Sequence, residues 1–335
     1  MVANHYRSGS GLTPLFFDKI DIKSVYFISL TSFGKAIING FLMITGWFMC
    51  MQEFKRIKFL KLLFQVEFYN VFFYVFFLCI GYESLSVQSV FRTIFPVISV
   101  TNNFVGCFLL FYLFIPFLNI LIRNLDEIKH RRLILLLIFI YVFLGTIPLI
   151  YVDFNYVTWF SCVYLIGAYL RKYPVKILEN KKITGIMLLT LYVISVLSVI
   201  VCAYIQKRLE RTDLQYWFLS DSNKVLALLL GVISFMFFKN IHIKQNRFIN
   251  IVGKSTFGVL LFHGVSDAMR SFLWGDIFKN VNVYSTEYAY IHLLVATFIV
   301  FSVGTLFDMV RIRLLESWFI PIADRFCEAI KNKLN

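Results

Sequence analysis

Nine long apolar runs fill most of the chain, and each is long enough to cross a lipid bilayer. A bilayer core about 30 Å thick needs roughly 20 apolar residues in a helix. Runs such as 104–122 and 133–151 carry almost no polar residue, whereas a helix on a soluble protein keeps a polar face. Backbone groups in lipid must hydrogen-bond within the protein, so these runs are predicted to be helices. The sequence therefore predicts an all-α, polytopic transmembrane helix bundle.

The composition agrees with this fold class, since 59% of the 335 residues are hydrophobic and only 16% are charged. Such a chain would leave far too much apolar surface on a soluble fold. We expect one integral-membrane domain over residues 1–313 and a cytoplasmic amphipathic tail over residues 314–335. The predicted spans are 24–50, 57–81, 103–122, 133–151, 154–170, 183–205, 224–238, 249–273 and 287–310.

The net charge of +14 could be taken as a sign of nucleic-acid binding, but its distribution indicates a membrane orientation. The loops after the odd-numbered spans hold 21 lysines and arginines, and the opposite loops, with the N-terminal segment, hold 8. The positive-inside rule places the first set and the C-terminus in the cytoplasm. We therefore expect a multi-pass plasma-membrane protein with the lipid bilayer, and no nucleic acid, as its partner.

Signatures of several enzyme classes are missing from the sequence. The six cysteines are scattered and form no CxxC pair, so neither a disulfide framework nor a metal site is predicted. There is also no P-loop, HExxH or GxSxG motif. Acidic residues inside the predicted spans are scarce, Glu67 and Asp267 being the main ones, which argues weakly against a proton-coupled transporter.

The histidines are the first candidates for chemistry. His263 lies near the middle of the predicted span 249–273, where it either bonds a neighbouring helix or serves a function. His5 would be inert in an exposed tail, but it could act as a general base at a helix end that faces a cavity. His130 is expected to be a solvated loop residue, and His242 and His292 are expected at the membrane interface.

Small and polar residues interrupt the second half of the first predicted span, where Asn39, Gly40, Thr45 and Gly46 lie in an apolar setting. Close helix packing is one interpretation, because small residues let backbones approach. A cavity lining is the other.

A basic run follows the same span and consists of Lys55, Arg56, Lys58 and Lys61. Such a run orients a membrane protein. It could also bind the phosphates of a cytoplasmic donor, because lysine and arginine pair with phosphate oxygens.

Three segments together resemble the integral-membrane acyltransferase family 3, whose bacterial members O-acetylate cell-surface sugars and polysaccharides. Residues 39–48, NGFLMITGWF, resemble the family segment FfliSGyf; residues 104–119 resemble Yl.LyllsPfLN; and residues 256–263, TFGVLLFH, resemble TfgiYLiH. The order and spacing agree over nearly the whole chain. The departures are Asn103 where the family often has Trp, and Thr45 and Trp47 in place of Ser and Tyr.

The resemblance also bears on the start of the chain. Family members have about ten spans, and the first carries a basic residue, ten further residues and then a histidine. His5 fits that histidine, but its basic partner would precede Met1. A short outside tail is the alternative, yet the resemblance favours a chain that begins inside the family's first helix, on which activity would depend.

The resemblance implies transfer of an acyl group, most often acetyl, from cytoplasmic acyl-CoA to a hydroxyl of a cell-surface or exported polysaccharide, at the plasma membrane of a bacterium. His5 would be the base or a transient acyl carrier, and Asn39, Thr45 or His263 the oxyanion donors. The basic run Lys55, Arg56, Lys58 and Lys61 would bind the phosphates of acyl-CoA, which is the donor substrate and no permanent cofactor. A polysaccharide flippase or another polytopic transporter is the alternative function.

Overall fold

The computed structural model describes residues 1–95, 104–210 and 214–334, and every regular element within these ranges is helical. The prediction of an all-α fold is confirmed. The α-helices are α1 Val2–Ser8, α2 Leu15–Asp18, α3 Ile22–Thr31, α4 Gly34–Met49, α5 Arg56–Cys79, α6 Val87–Ile94, α7 Phe104–Asn124, α8 Glu127–Leu137, α9 Tyr156–Lys172, α10 Lys181–Leu209, α11 Val225–Lys239, α12 Arg247–Gly264, α13 Asp267–Arg270, α14 Asn280–Tyr284, α15 Ala289–Arg311 and α16 Ser317–Leu334. Short π-helical segments occupy Ile138–Leu144, Ser271–Ile277 and Ile312–Glu316, and a 3₁₀ turn occupies Trp217–Leu219.

The chain divides into two compact units. The first unit contains Thr13–Glu53 and Phe114–Ile243, together with Met1. The second contains Val2–Leu12, Phe54–Leu113 and Lys244–Asn335. Each unit is assembled from separate stretches of sequence, so residues far apart along the chain meet inside each one.

Five helical segments of the described residues are long and apolar enough to cross a membrane, whereas nine spans were predicted. They are Ile22–Met49, Arg56–Cys79, Phe104–Asn124, Lys181–Leu209 and Ala289–Arg325. The helices in the predicted spans 133–151, 154–170 and 224–238 do not meet this criterion, and α9 and α11 have only 17 and 15 residues. Residue 103, the predicted start of the third span, lies outside the described ranges.

The predicted span 249–273 is not one continuous helix, because it breaks in its middle, as in a broken span or a re-entrant loop. α12 ends at Gly264, and the helical segment that follows from Asp267 to Ile277 is turned by 88°. Ser266 starts the new direction, since its Oγ accepts a hydrogen bond from the Met269 N–H at 3.1 Å. Hydropathy cannot reveal this break, because the apolar character continues across a change of direction made by an N-cap.

Several helices begin at a residue whose side chain caps the first turn. The Asp21 carboxylate accepts from the Ser24 N–H at 2.9 Å, and the Ser24 hydroxyl bonds back to Asp21, which completes a capping box. Asn180 accepts from the first turn of α10, and Asn246 does the same for α12. These caps satisfy N–H groups that would otherwise lack partners.

Glycines in the first unit allow α4 to pack closely against α9. A Cβ on Gly46 would lie 2.5 Å from the Tyr164 carbonyl oxygen, and one on Gly167 would lie 2.9 Å from the Met43 carbonyl oxygen. Gly231 of α11 likewise lies directly against α4, at Asn39. These contacts support the interpretation of the small residues as packing sites, because only glycine lets the backbones approach this closely.

The second unit is built around α12 and α15, with α1 and α5 packed against them. The predicted tail 314–335 continues the helix of α15, because a π-helical segment joins α15 to α16. Phe64 of α5 stacks on Phe319 of α16, with ring centroids 4.0 Å apart. The helical segment that contains the apolar span therefore continues past residue 313 to Arg325, and the assignment of residues 314–335 to a cytoplasmic tail stays a prediction.

Candidate active site

Two histidines separated by 258 positions meet inside the second unit. His5 lies in α1 and His263 in the last turn of α12, and their ring centroids are 4.9 Å apart with an angle of 56° between the ring planes. The break after Gly264 ends α12 just beyond His263. The fold therefore juxtaposes the two histidines that sequence analysis singled out.

The hydrogen bond of His263 fixes its tautomer. Its Nδ1 lies 2.5 Å from the Val259 carbonyl oxygen, which can only accept, so Nδ1 carries the proton. In the neutral ring Nε2 then has a free lone pair, and this fully buried atom has no hydrogen-bond partner among the described residues. His263 thus presents an acceptor nitrogen on a ring that packs against His5.

Gly264 makes room for the His5 ring. A Cβ at this position would lie 3.3 Å from His5 Cε1 and 3.5 Å from His5 Nδ1. The first distance is shorter than an ordinary van der Waals contact, so any larger side chain would push the ring away. Glycine at position 264 therefore helps to set the separation of the two imidazoles.

A second layer of side chains holds α1 in place. The Tyr6 hydroxyl is 2.8 Å from His292 Nδ1, and the Asn280 side-chain amide donates to the Tyr6 carbonyl at 3.0 Å. The fully buried Trp274 packs edge-on against Tyr6, with centroids 5.7 Å apart, and lies 6.4 Å from the His263 ring. These contacts fix the residue that follows His5, so they orient the histidine itself.

Sequence analysis missed this second layer, because its members gave no local signal. His292 was expected at the interface, but its ring is partly buried and bonded to Tyr6. Tyr6, Trp274 and Asn280 stand in no recognisable sequence motif. Only their convergence from distant parts of the sequence identifies them.

Asn39 and Thr45, the other predicted catalytic residues, lie in the first unit. The Asn39 amide donates to the Ser222 carbonyl at 2.7 Å and its oxygen accepts from Trp159 Nε1 at 2.9 Å. The Thr45 hydroxyl donates to the Phe41 carbonyl of its own helix at 3.1 Å. Both side chains are engaged in bonds that support the fold, and their role as oxyanion donors stays a prediction.

The basic run lies at the beginning of α5, in the second unit. Lys55, Arg56 and Lys58 are exposed there. Lys61 differs, because its Nζ lies 2.5 Å from a carboxylate oxygen of Glu316, which is only 5% exposed. The structure thus shows three exposed cations and a fourth, Lys61, that pairs with a buried carboxylate.

That partner belongs to a buried charge cluster. Asp308 accepts hydrogen bonds from Gln65 at 3.2 Å, Tyr69 at 3.0 Å and Arg311 Nε at 2.8 Å, and Arg311 Nη2 lies 3.0 Å from Glu316. Asp308 is fully buried and Gly258 packs directly against its carboxylate. Sequence analysis named Glu67 and Asp267 as the main acids of the spans and overlooked Asp308, although an arginine three positions further on was a usable signal.

A second charged group, in the first unit, is half-exposed. The Lys35 ammonium lies 3.1 Å from Asp221, and the Tyr156 hydroxyl donates to the same carboxylate oxygen at 2.8 Å. Lys35 also donates to the Tyr156 hydroxyl. The side chains of Lys35 and Asp221 are each 35% exposed, so both charged groups are accessible from outside the protein.

The expectation that His130 is a solvated loop residue is wrong. Its side chain is fully buried in α8, with Nε2 3.1 Å from the Leu165 carbonyl oxygen and the Tyr169 ring packed edge-on at 5.3 Å. Burial lowers the pKa of His130. The adjacent arginines at 131 and 132 suggested a solvated segment, but helical spacing turns His130 to the opposite side.

The apolar helices and the contact between His5 and the buried His263 define an α-helical membrane protein with groups suited to proton transfer. The chain belongs to acyltransferase family 3, since the family model described as "Acyltransferase domain" matches residues 2–309. The predicted family is thereby confirmed, and acyl transfer is the general activity that membership supports. Searches of curated proteins and of solved structures found no match.

Proposed function

We propose that the protein transfers an acyl group, in particular acetyl, from cytoplasmic acyl-CoA to a hydroxyl of a cell-surface or exported polysaccharide, at the plasma membrane of a bacterium. The observation that carries this proposal is the packing of His5 against His263 within a unit of an acyltransferase-family chain. A sugar hydroxyl ionises far above neutral pH, so its attack on a thioester requires proton removal as the new bond forms. An imidazole is the side chain best suited to that task near pH 7.

In the direct route, the hydroxyl oxygen attacks the thioester carbonyl carbon while His5 takes the hydroxyl proton. The carbon–sulfur bond then breaks, and the CoA sulfur leaves as a thiol with the proton returned by His5. In the alternative route, a ring nitrogen of His5 first bonds to the acyl carbon, the carbon–sulfur bond breaks, and CoA leaves as its thiolate. The hydroxyl oxygen then bonds to the acyl carbon as the carbon–nitrogen bond breaks, and the hydroxyl proton passes through the released imidazole to the thiolate. Both routes put positive charge on the His5 ring, which packs against the His263 ring at a centroid distance of 4.9 Å.

The exposed cations at the start of α5 suit the phosphates of acyl-CoA. The first turn of a helix presents unpaired N–H groups and a partial positive charge, which favour an anion. Lys55, Arg56 and Lys58 add full charges at the same end. Because Lys55, Arg56 and Lys58 are exposed, we assign donor binding mainly to them, and a smaller part to Lys61, which is 45% exposed and contacts Glu316.

The test compares the O-acetyl signals of the surface glycan, by NMR, in cells carrying the wild type, His5→Gln or His263→Gln. His242→Gln is the matched control, because His242 is exposed and lies in the first unit. We expect both active-site variants to lose the acetyl signal while the glycan backbone and the amount of membrane protein stay unchanged.

Retained acetylation in His5→Gln would show that His5 plays no catalytic part. Loss of the entire polymer on deletion of the gene, without any change specific to acetylation, would favour the flippase alternative. The two catalytic routes are separated by incubating purified protein with radiolabelled acetyl-CoA and no acceptor. Label bound to wild type and absent from His5→Gln indicates an acyl-histidine, and its absence from both indicates the direct route.

A further inference from the structure

A tryptophan–cation cluster in the first unit has no part in the proposed reaction. It consists of Trp47, Arg171, Lys239 and Glu179. The Arg171 guanidinium carbon lies 5.0 Å from the centroid of the Trp47 ring, and Lys239 Nζ lies 4.8 Å from it. Lys239 also pairs with Glu179 at 2.5 Å. Two cations from different helices are therefore held against one aromatic ring.

The cluster lies where apolar spans end. Trp47 is two residues before the end of the span Ile22–Met49, and Glu179 is two residues before the start of the span Lys181–Leu209. Arg171 and Lys239 lie in the last turns of α9 and α11. Tryptophan, arginine and lysine concentrate at the level of the lipid headgroups, where an aromatic ring and a cation both find suitable surroundings.

The charges in the cluster leave one cation in excess. Glu179 offsets Lys239, whereas Arg171 has no hydrogen bond or ion pair within the part of the chain that the structure describes. Both cationic centres are measured to the same Trp47 ring centroid, at 5.0 Å for Arg171 and 4.8 Å for Lys239. They are therefore at most 9.8 Å apart. A guanidinium that packs on a ring keeps its N–H groups available, and their fork matches two oxygens of a phosphate.

We propose that the tryptophan–cation cluster binds the phosphate of an anionic phospholipid headgroup, with Arg171 as the main ligand and Lys239 as the second cation. The phosphates of CoA share this chemistry, but the position of the cluster at the ends of two apolar spans favours a lipid. Basic sites at the ends of membrane helices are suited to such headgroups. This inference does not depend on acyl transfer.

The test is native mass spectrometry of the full chain in detergent, titrated with phosphatidylglycerol, phosphatidylcholine or free CoA. Wild type is compared with Arg171→Gln and with Arg131→Gln, which removes the same charge from an exposed position without a ring contact among the described residues. We expect Arg171→Gln to bind phosphatidylglycerol about fivefold more weakly, as for loss of one cation near an anionic headgroup. Arg131→Gln should remain within about twofold of wild type.

Arg171→Lys keeps the charge and loses the planar fork, so its affinity for phosphatidylglycerol should fall between those of wild type and Arg171→Gln. Equal binding by Arg171→Gln and Arg131→Gln overturns the proposal, as does equal affinity for phosphatidylcholine. Binding of CoA that depends on Arg171 and displaces phosphatidylglycerol would assign the cluster to the donor and not to lipid. None of these readouts requires acyltransferase activity, so failure of the proposed function would leave the test intact.

Discussion

Two aspartate–arginine pairs of the second unit have the same spacing and nearly the same length, but they lie in opposite surroundings. Asp308 and Arg311 are 2.8 Å apart, and their side chains are 0% and 1% exposed. Asp267 and Arg270 are 2.7 Å apart, and their side chains are 94% and 43% exposed. The length of an ion pair therefore says little about its contribution to stability, whereas removal of water from the charges decides it.

The buried pair is also connected to its surroundings. Gln65 and Tyr69 donate to Asp308 from α5, and Glu316 lies beside Arg311. These bonds join α5 to the segment that runs from α15 into α16. Removal of one member leaves the other charges without compensation in a place that water does not reach, and this is costly.

The largest expected effect is that of Asp308→Ala. This change should lower the free energy of unfolding by about 3–5 kcal/mol, because Arg311 would remain buried without its nearest carboxylate. Asp267→Ala is the matched control, since it breaks an exposed pair of the same spacing, and it should cost at most about 0.5 kcal/mol. Denaturant titration in detergent micelles measures both, and similar losses in the two variants would contradict the comparison.

Gly258→Ala should have the next largest effect. The added Cβ would overlap the Asp308 carboxylate, so the cluster must move, at a cost of about 1–3 kcal/mol. Gly253→Ala, in the same helix, is a suitable control because a Cβ there meets nothing within 4 Å. Alanine favours the helix, so this control should be neutral or slightly stabilising; thermal unfolding of the two proteins gives the answer.

His130 extends this comparison to a titratable group, because it is buried and pairs with no carboxylate among the residues that the structure describes. Burial lowers the pKa of His130 in the folded protein, so below about pH 6.5 the unfolded chain binds more protons at this site. The free energy of unfolding should therefore decrease as the pH falls below about 6.5, and His130 accounts for at most about 1.4 kcal/mol of this decrease per pH unit. His130→Gln should show a shallower decline between pH 6.5 and 5 than wild type, and equal slopes would assign the decline to other groups.

Lys61→Met should give the smallest of these losses. Lys61 is 45% exposed, and Glu316 keeps its contact with Arg311, so we expect a cost of about 1 kcal/mol or less.

Arg56→Gln should leave stability unchanged and raise the KM for acyl-CoA, because Arg56 is exposed at the start of α5. If Lys61→Met instead raises this KM more than Arg56→Gln does, Lys61 belongs to the donor site.

The sequence indicated the helices well, because long apolar runs translate directly into helical segments. It could not indicate where a run changes direction or falls short of a span, as at Gly264 and in α9, since these depend on caps and on tertiary packing. The resemblance to a family pointed to His5, and the polar interruption of an apolar run pointed to His263. Their contact, and the support from Tyr6 and His292, arise from pairing across more than 250 residues, which local patterns do not contain.

The break at the end of α12 has an electrostatic consequence for the histidine pair. A helix that stops at Gly264 leaves its final carbonyl oxygens without partners in a following turn, and the aligned peptide dipoles place a partial negative charge at that end. His263 belongs to this last turn, and His5 packs on Gly264. A continuous span would have carried this negative end farther along the helix, whereas the break leaves it beside the rings of His5 and His263.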